Sequence, residues 1–259
     1  MYKRQLLSRQ ATLLAAETNG MNTVNVLGVQ IAQLTLKEAL QRILEIVACR
    51  QRAIISHTNV TGMNIAYEQP WFRKFLNNSE FVYCDGMGVQ LGARLLGHHI
   101  PERFTLADWM YEYAQLAEEH HLSFYFLGNP PGVADRAAIR LRERFPDLKI
   151  VGAHHGYFDK TPGSPENETI IADINQSRPD ILLVGFGMPV QERWLLENWG
   201  RLEATLAMPV GAMFEYIAGD LPRGPSWMTQ NYLEWLARVL ISPARYSKRY
   251  LKDNPLFLY

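Results

Sequence analysis

Short apolar runs alternate with longer amphipathic stretches between residues 24 and 211. The apolar runs are too short for helices and have the composition of buried strands. This alternation predicts an α/β fold in which a mostly parallel sheet carries helices on both faces. A chain of 259 residues can bury such a core without disulfides or metals.

The individual elements follow from local patterns. Thr35 and Glu38 form a capping box that predicts the start of a helix. Proline is tolerated in the first turn of a helix, so helices are also predicted to begin at Pro130 and Pro189. A long helix is predicted over Ala107–His120 and a polar loop over Thr161–Asn167. The predicted strands are Val24–Val29, Ala53–Ser56, Phe81–Cys84, Ser123–Leu127, Lys149–Gly152, Asp180–Val184 and Thr205–Val210.

Polar side chains follow several strands at the point where each strand ends. Asp85 comes directly after Phe81–Cys84 and precedes two glycines that let the backbone turn sharply. The carboxyl ends of parallel strands share one edge, where open α/β sheets bind ligands. Asp85 as the N-cap of the next helix is the structural alternative. The shared edge favours a functional role, because it also collects Asn59, Asn129, Gln191 and Glu215.

Several standard sites are absent from the sequence. No Walker loop, GxGxxG, GxSxG or HExxH motif occurs, and no Asp-x-Asp pair is present to hold a metal–diphosphate complex. A transferase that uses a nucleotide sugar would therefore need backbone amides and cations to bind the diphosphate. The segment Gly185–Glu192 fits this need, because Pro189 fixes a helix start whose first amides are expected to face a ligand. An ordinary strand–helix turn is the alternative.

Composition limits the class of partner. The formal net charge is zero, which argues against nucleic-acid binding. Cys49 and Cys84 lie in apolar surroundings and are predicted to be buried thiols of a reducing compartment. No apolar run is long enough to span a membrane. Residues 1–21 are predicted to form a flexible tail, residues 22–220 the core, and residues 221–259 a C-terminal appendage.

The C-terminal segment differs from the core. Between Leu221 and Lys252, six cations and one anion are interleaved with tryptophan and tyrosine. Such a composition favours the surface of an anionic membrane or a diphosphate ligand. Packing on the rest of the chain or on a neighbour remains the alternative.

These motifs together resemble the WecG/TagA/CpsF glycosyltransferases over nearly the whole chain. The matching pieces are Asn59, Asp85-Gly86-Met87-Gly88, Arg103, Gly128, Gly185-Phe186-Gly187-x-Pro189-x-Gln191-Glu192, Gly211-x-x-Phe214-x-x-x-x-Gly219, Arg223-x-Pro225-x-Trp227-Met228, Leu233-Glu234-Trp235-x-x-Arg238, Pro243 and Arg245.

The resemblance implies a Rossmann-like core and a metal-independent, inverting hexosyltransferase or N-acetylmannosaminyltransferase. Such an enzyme moves a sugar from a UDP donor to an undecaprenyl-diphosphate-linked sugar in cell-surface polysaccharide biosynthesis. It works on the cytoplasmic face of the cell membrane, held there peripherally by its appendage. No cofactor is expected, and self-association into a homo-oligomer stays open.

The resemblance also implies roles for residues. Asp85 matches the general base that deprotonates the acceptor hydroxyl, and Glu215 stands where an aspartate usually accepts from uracil N3–H. His57 replaces a threonine that is common two residues before Asn59. Besides Glu215, the donor and acceptor contacts implied are His57, Thr58, Asn59, Arg103, Gly128, Asn129, Gly187 and Gln191. The appendage cations implied to bind diphosphate or membrane are Arg223, Arg238, Arg245, Lys248 and Arg249.

Two other functions stay open at this point. The first is a non-catalytic nucleotide-binding or assembly module with the same sheet. The second is an α/β hydrolase or phosphatase in which Asp85 is the nucleophile. The missing metal motif and the lack of a second strand-end carboxylate next to Asp85 count against the hydrolase.

Overall fold

The computed structural model describes residues 21–222, 224, 228, 234–241, 243, 253 and 257. Of the predicted tail, only Met21 is described. Of the predicted appendage cations, Arg223, Arg245, Lys248, Arg249 and the side chain of Arg238 lie outside the described residues. The strands are β1 (Thr23–Val26), β2 (Val29–Ala32), β3 (Ala53–Thr58), β4 (Phe81–Cys84), β5 (Ser123–Gly128), β6 (Lys149–His154), β7 (Ile181–Gly185) and β8 (Leu206–Pro209). The helices are α1 (Leu36–Ala48), α2 (Val60–Glu68), α3 (Pro70–Asn77), α4 (Met87–Leu95), α5 (Leu106–Glu119), α6 (Val133–Arg144), α7 (Pro165–Ser177), α8 (Val190–Asn198), α9 (Met213–Ala218) and α10 (Glu234–Ile241).

The main sheet has six strands in the order β4-β3-β8-β7-β5-β6. Every paired neighbour in it runs parallel. Side chains alternate between its faces, as a pleated strand requires. Phe124 and Phe126 pack under α1, α5, α6 and α9. Tyr125 and Leu127 pack under α2, α3, α4, α7 and α8. The predicted fold class, a parallel sheet between two layers of helices, is confirmed.

The predicted first strand is wrong. Leu27 and Gly28 both have positive φ angles, 49° and 87°, and they separate β1 from β2. Two such residues form a tight turn whose twist suits an antiparallel hairpin. The N–H of Gly28 donates to Asn25 Oδ1 at 2.9 Å and closes this turn. The hairpin is a separate two-stranded sheet that packs on the α2–α4 side of the core.

Other boundaries also differ from the prediction. Strand β3 continues through His57 and Thr58, and β6 continues to His154. Helix α6 begins at Val133 rather than at Pro130, because the two prolines occupy the preceding turn. Helix α7 begins inside the predicted polar loop 161–167, where Ser164 caps it by accepting from the N–H of Asn167. Cys84 is buried as predicted, but Cys49 is exposed at the end of α1.

The capping box that predicts α1 is confirmed. Thr35 accepts from the N–H of Glu38, and Glu38 accepts in return from the N–H of Thr35. The opening turn of α1 is therefore held by two reciprocal hydrogen bonds.

Two described residues of the C-terminal segment, Asp253 and Phe257, contact the core. Thr61 Oγ1 in α2 donates to Asp253 Oδ2 at 2.6 Å, and Asn64 Nδ2 donates to Asp253 O at 2.9 Å. Phe257 packs against the core and lies close to Gly92 in α4. Of the helices that the structure describes, none combines the length and apolar character needed to cross a bilayer.

Candidate active site

A cavity of about 470 Å³ opens at the edge of the sheet where the parallel strands end. Its wall comes from the turns that follow β3, β4, β5, β6, β7 and β8. The polar and aromatic members of the wall include His57, Asn59, Thr61, Tyr83, Asp85, Thr105, Asn129, Tyr157, Lys160, Phe186, Gln191, Glu215 and Tyr216. Five strand-end residues that the sequence brings to one edge, Asn59, Asp85, Asn129, Gln191 and Glu215, therefore line one cavity.

Asp85 is the residue that follows β4, and its carboxylate faces this cavity. Its backbone N–H donates to Thr58 O at 2.9 Å, which extends the pairing of β4 with β3 by one residue. Gly86, with a φ of 130°, is the N-cap of α4. The alternative role of Asp85 as a helix cap is thus wrong, and its side chain is available for chemistry in the cavity.

His57 lies beside Asp85 because β3 and β4 are neighbours in the sheet. The distance from His57 Nε2 to Asp85 Oδ2 is 3.7 Å, and the two side chains keep 8% and 17% of their surface exposed. The imidazole stacks on the ring of Tyr83, with the centroids 5.6 Å apart. Burial, and secondarily the charge of Asp85, raises the pKa of Tyr83. Tyr83 therefore stays a neutral phenol in the wall.

Asn59 has two roles in the structure. Its side chain caps α2 by accepting from the N–H of Gly62 at 3.2 Å, and it also lines the cavity. Thr58 is completely buried, and an added Cβ at Gly62 would lie 2.7 Å from its Oγ1. Thr58 thus packs under α2, whereas its neighbours His57 and Asn59 reach the cavity.

Gln191 joins two turns of the wall. Its Oε1 accepts from the N–H of Gly187 at 3.1 Å and from the N–H of Gly211 at 3.0 Å. These glycines belong to the turns after β7 and β8. Gly187, an implied contact, lines the cavity, but its N–H is already bonded within the protein.

Glu192 lies beneath this cross-link and is fully buried. Its Oε1 accepts from Gln191 Nε2 at 2.8 Å, and Oε2 has no hydrogen-bond partner among the described residues. Burial raises the pKa of Glu192 to about 7, with the hydrogen bond from Gln191 opposing the shift. A protonated carboxyl group therefore exists here at mildly acidic pH.

Asn129 connects the same two turns from the side of β5. Its Nδ2 donates to Gly185 O and to Gly211 O, each at 3.1 Å. The preceding Gly128 approaches β7 so closely that a Cβ would lie 2.4 Å from Gly185 O. Its requirement for glycine thus comes from strand packing rather than from a ligand.

Lys160 is a wall residue that the sequence analysis missed, together with Thr61, Tyr157, Phe186 and Tyr216. The predicted strand Lys149–Gly152 ended too early, so the loop after β6 was not counted among the strand ends. The Gly156-Tyr157 pair is the signal that could have revealed it. Glycine followed by an aromatic residue also occurs at Gly185-Phe186, after β7.

The remaining predicted contacts divide into two groups. Glu215, in the first turn of α9, is 7% exposed and lines the cavity. Among the described residues, Thr58, Gly128 and Arg103 do not form part of the wall. Arg103 lies just behind it, where Nη1 donates to Thr105 Oγ1 at 3.4 Å. Within the described part of the chain, no three His, Cys, Asp or Glu side chains cluster as a metal site would require.

Comparison with known proteins assigns the chain to a family. The model of the family described as "Glycosyl transferase WecG/TagA/CpsF family" matches residues 24–259. Similar curated proteins include N-acetylglucosaminyldiphosphoundecaprenol N-acetyl-beta-D-mannosaminyltransferases of Staphylococcus aureus strains NCTC 8325 / PS 47 and COL. Each is 28% identical over 245 residues, which cover 94% of this chain and 93% of the relative. The resemblance seen in the sequence is confirmed, and the chain belongs to the WecG/TagA/CpsF family of glycosyltransferases.

Proposed function

We propose that the protein transfers a hexose or N-acetylhexosamine, such as N-acetylmannosamine, from a UDP-sugar to an undecaprenyl-diphosphate-linked sugar. The observation that carries this proposal is the Asp85 carboxylate in the cavity wall, 3.7 Å from His57. The names of the Staphylococcus aureus relatives, which specify N-acetylglucosaminyldiphosphoundecaprenol, support the acceptor class.

In the proposed reaction, Asp85 accepts the proton of the acceptor hydroxyl. The oxygen attacks the anomeric carbon of the donor, the bond from that carbon to the UDP oxygen breaks, and UDP leaves with the electron pair. Attack opposite the leaving group inverts the anomeric centre. A carboxylate within hydrogen-bond reach of the hydroxyl is the requirement for this step.

His57 supports the assignment because it lies within electrostatic range of the carboxylate. An imidazole at this position can hydrogen-bond to a sugar hydroxyl. We assign the uracil contact to Glu215, which lines the cavity on α9, beyond β8. The donor thus spans the wall from Asp85 toward Glu215.

We further propose that transfer needs no metal and takes place at the cytoplasmic membrane surface. Backbone amides and cationic side chains would then stabilise the charge that develops on the leaving diphosphate. The cations of residues 221–259 are candidates for this role, together with membrane docking, and Asp253 and Phe257 support it because they attach the segment to α2 and α4.

The test is a transfer assay with UDP-N-acetylmannosamine, run with EDTA. The acceptor is an analogue of undecaprenyl-diphosphate-N-acetylglucosamine that carries a shortened lipid chain. We expect a disaccharide-lipid product and release of UDP that depends on the acceptor. Activity that EDTA abolishes and Mg²⁺ restores would contradict metal independence alone. No transfer from any of a panel of UDP-sugars would contradict the proposed function.

A further inference from the structure

Lys160 occupies an unusual position for a lysine. It lies in the loop between β6 and α7, and its Nζ donates to Gly156 O and to Phe158 O, the latter at 3.3 Å. Both carbonyls belong to its own loop. The ammonium group is therefore held in place at the cavity wall rather than extended into solvent.

Two aromatic rings fix this position further. Nζ lies 4.3 Å from the ring centroid of Phe158 and 4.5 Å from that of Phe186. A cation over the face of an aromatic ring is attracted to the ring, but this cation–π contact does not neutralise the charge. Burial lowers the pKa of Lys160, as expected for a cation with reduced access to water. The ammonium would thus gain from an anionic partner.

The charges of the described wall point to the same conclusion. Lys160 is the one lysine or arginine among the described residues that line the cavity. No carboxylate of the described residues lies within ion-pair distance of it, although Asp159 in the same loop and Glu166 in the first turn of α7 attract it from farther away. The carboxylates of the wall, Asp85 and Glu215, come from other elements. Lys160 is therefore a partly desolvated cation that faces a cavity large enough for a nucleotide sugar.

We propose that Lys160 binds the diphosphate group of a substrate in this cavity. The inference rests on the proposed function, since a UDP-sugar and a lipid-linked acceptor both carry a diphosphate. An ammonium held by two carbonyls and two rings is preorganised for this contact. Phosphate oxygens would supply the direct ion pair that Asp159 and Glu166, which attract the ammonium from farther away, do not make.

The position of Lys160 allows either diphosphate to reach it. Besides the main cavity, it lines a neighbouring surface cavity of about 300 Å³. There the guanidinium of Arg193 lies 3.6 Å from the ring centroid of Trp71. A donor bound within the main cavity and an acceptor that enters from the surface would both pass Lys160, so the experiment must separate them.

The experiment compares Lys160→Met and Lys160→Arg with the wild type and with Lys149→Met. Lys149 is an exposed lysine at the opposite end of β6, which makes it a matched control for charge. Calorimetry measures the affinity for UDP and for uridine, which lacks the phosphates. Steady-state assays measure KM for the donor and for the lipid-linked acceptor, and thermal melting checks folding.

If Lys160 binds the donor diphosphate, Lys160→Met should weaken UDP binding about 10- to 100-fold and leave uridine binding unchanged. If it binds the acceptor diphosphate, UDP affinity should be kept and the KM of the acceptor should rise by a similar factor. Lys160→Arg should recover part of the loss in either case, because the cation is retained. Lys149→Met should match the wild type.

Other outcomes would overturn the inference. Equal losses of UDP and uridine binding in Lys160→Met would mean that the lysine only shapes its loop. Wild-type values for UDP affinity and for both KM values would mean that it touches no diphosphate, while the proposed function still stands. A wild-type protein that neither binds UDP nor transfers a sugar would contradict the proposed function, and this inference with it.

Discussion

Three carboxyl groups lie in or under the cavity, and their surroundings give them different properties. Asp85 is partly exposed beside His57, and Glu215 lies in the wall with 7% of its surface exposed. Glu192 is fully buried, and its Oε1 accepts from Gln191. Only the first two can touch a substrate, so Glu192 acts on the site through the residue that it holds.

For the single residue Asp85, we predict that Asp85→Asn lowers turnover about 100- to 10,000-fold, the range attributed to a general base. The amide keeps the shape of the side chain but cannot accept the proton at neutral pH. UDP affinity and the melting temperature should stay near the wild-type values. Steady-state kinetics and calorimetry on the same preparation check this, and near-normal turnover would refute the assignment of Asp85 as the base.

Glu192 leads to a prediction about pH. Its pKa in the folded protein is about 7, above the ordinary value of 4.5. The folded state therefore binds this proton more tightly, so the associated stability is complete below pH 4.5 and is lost as the pH rises to about 7. Glu192→Gln should remove this loss, because the amide carbonyl still accepts from Gln191 and cannot ionise.

Urea unfolding at pH 5 and pH 8 measures the effect. The free energy of unfolding of Glu192→Gln, relative to that of the wild type, should rise by up to about 3 kcal/mol from pH 5 to pH 8. This is the size expected from the raised pKa of Glu192. Glu197→Gln, an exposed position on the same helix, is the control and should follow the wild type. A variant whose stability falls in parallel with the wild type would show that Glu192 is not the titrating group.

At the scale of elements, the turns after the strands build the site, and side chains in those turns also hold the helices. Asn59 caps α2, and Gln191 at the start of α8 cross-links the turns after β7 and β8. Each of these two side chains thus holds a helix or a turn in place and also lines the cavity. The positions of the helices and the shape of the site are coupled through these few polar contacts.

We predict that the two roles of Asn59 can be separated. Asn59→Ala removes the cap of α2 and should cost about 1 kcal/mol of stability. Asn59→Ser keeps a capping oxygen and should recover most of that stability, yet it lacks the amide that faces the cavity. Chemical unfolding and transfer kinetics test this. If the serine variant recovers turnover along with stability, Asn59 has a structural role only.

On the scale of the whole molecule, strand order decides which residues meet. The chain places β3 and β4 at one side of β8 and places β7, β5 and β6 at the other. Turns that are distant in sequence therefore surround one cavity. Asp85 follows β4, which is an edge strand of the sheet. The described C-terminal residues Asp253 and Phe257 reach α2 and α4, the helices that follow β3 and β4.

The proposed membrane role of the C-terminal cations gives the prediction at this scale. Replacing Arg223, Arg238, Arg245, Lys248 and Arg249 by glutamine in the full chain should abolish sedimentation with anionic vesicles at low salt, because clustered cations supply attraction to anionic lipids. The exposed arginines of α6, Arg136, Arg140, Arg142 and Arg144, form the control, and their replacement should leave sedimentation unchanged. Continued pelleting of the first variant would contradict the membrane role of the segment.

The fold class and most of the strand-end residues of the cavity follow from the amino-acid sequence alone. Buried parallel strands are short apolar runs, and their polar successors must share one edge, so Asp85, Asn129 and Glu215 could be found without coordinates. Local rules also located the start of α1 at its capping box. They failed where local signals compete, as at Leu27–Gly28, where a tight turn interrupts an apolar run.

What each of these groups does depends on how the chain is packed in three dimensions. Whether Glu192 faces the cavity or the core, and whether the amide of Gly187 is free or bonded to Gln191, depends on contacts between turns far apart in the chain. Lys160 belongs to the site only because its loop folds back onto Phe186. Burial, desolvation and hydrogen-bond partners are properties of the packed molecule, and periodicity along the chain does not specify them.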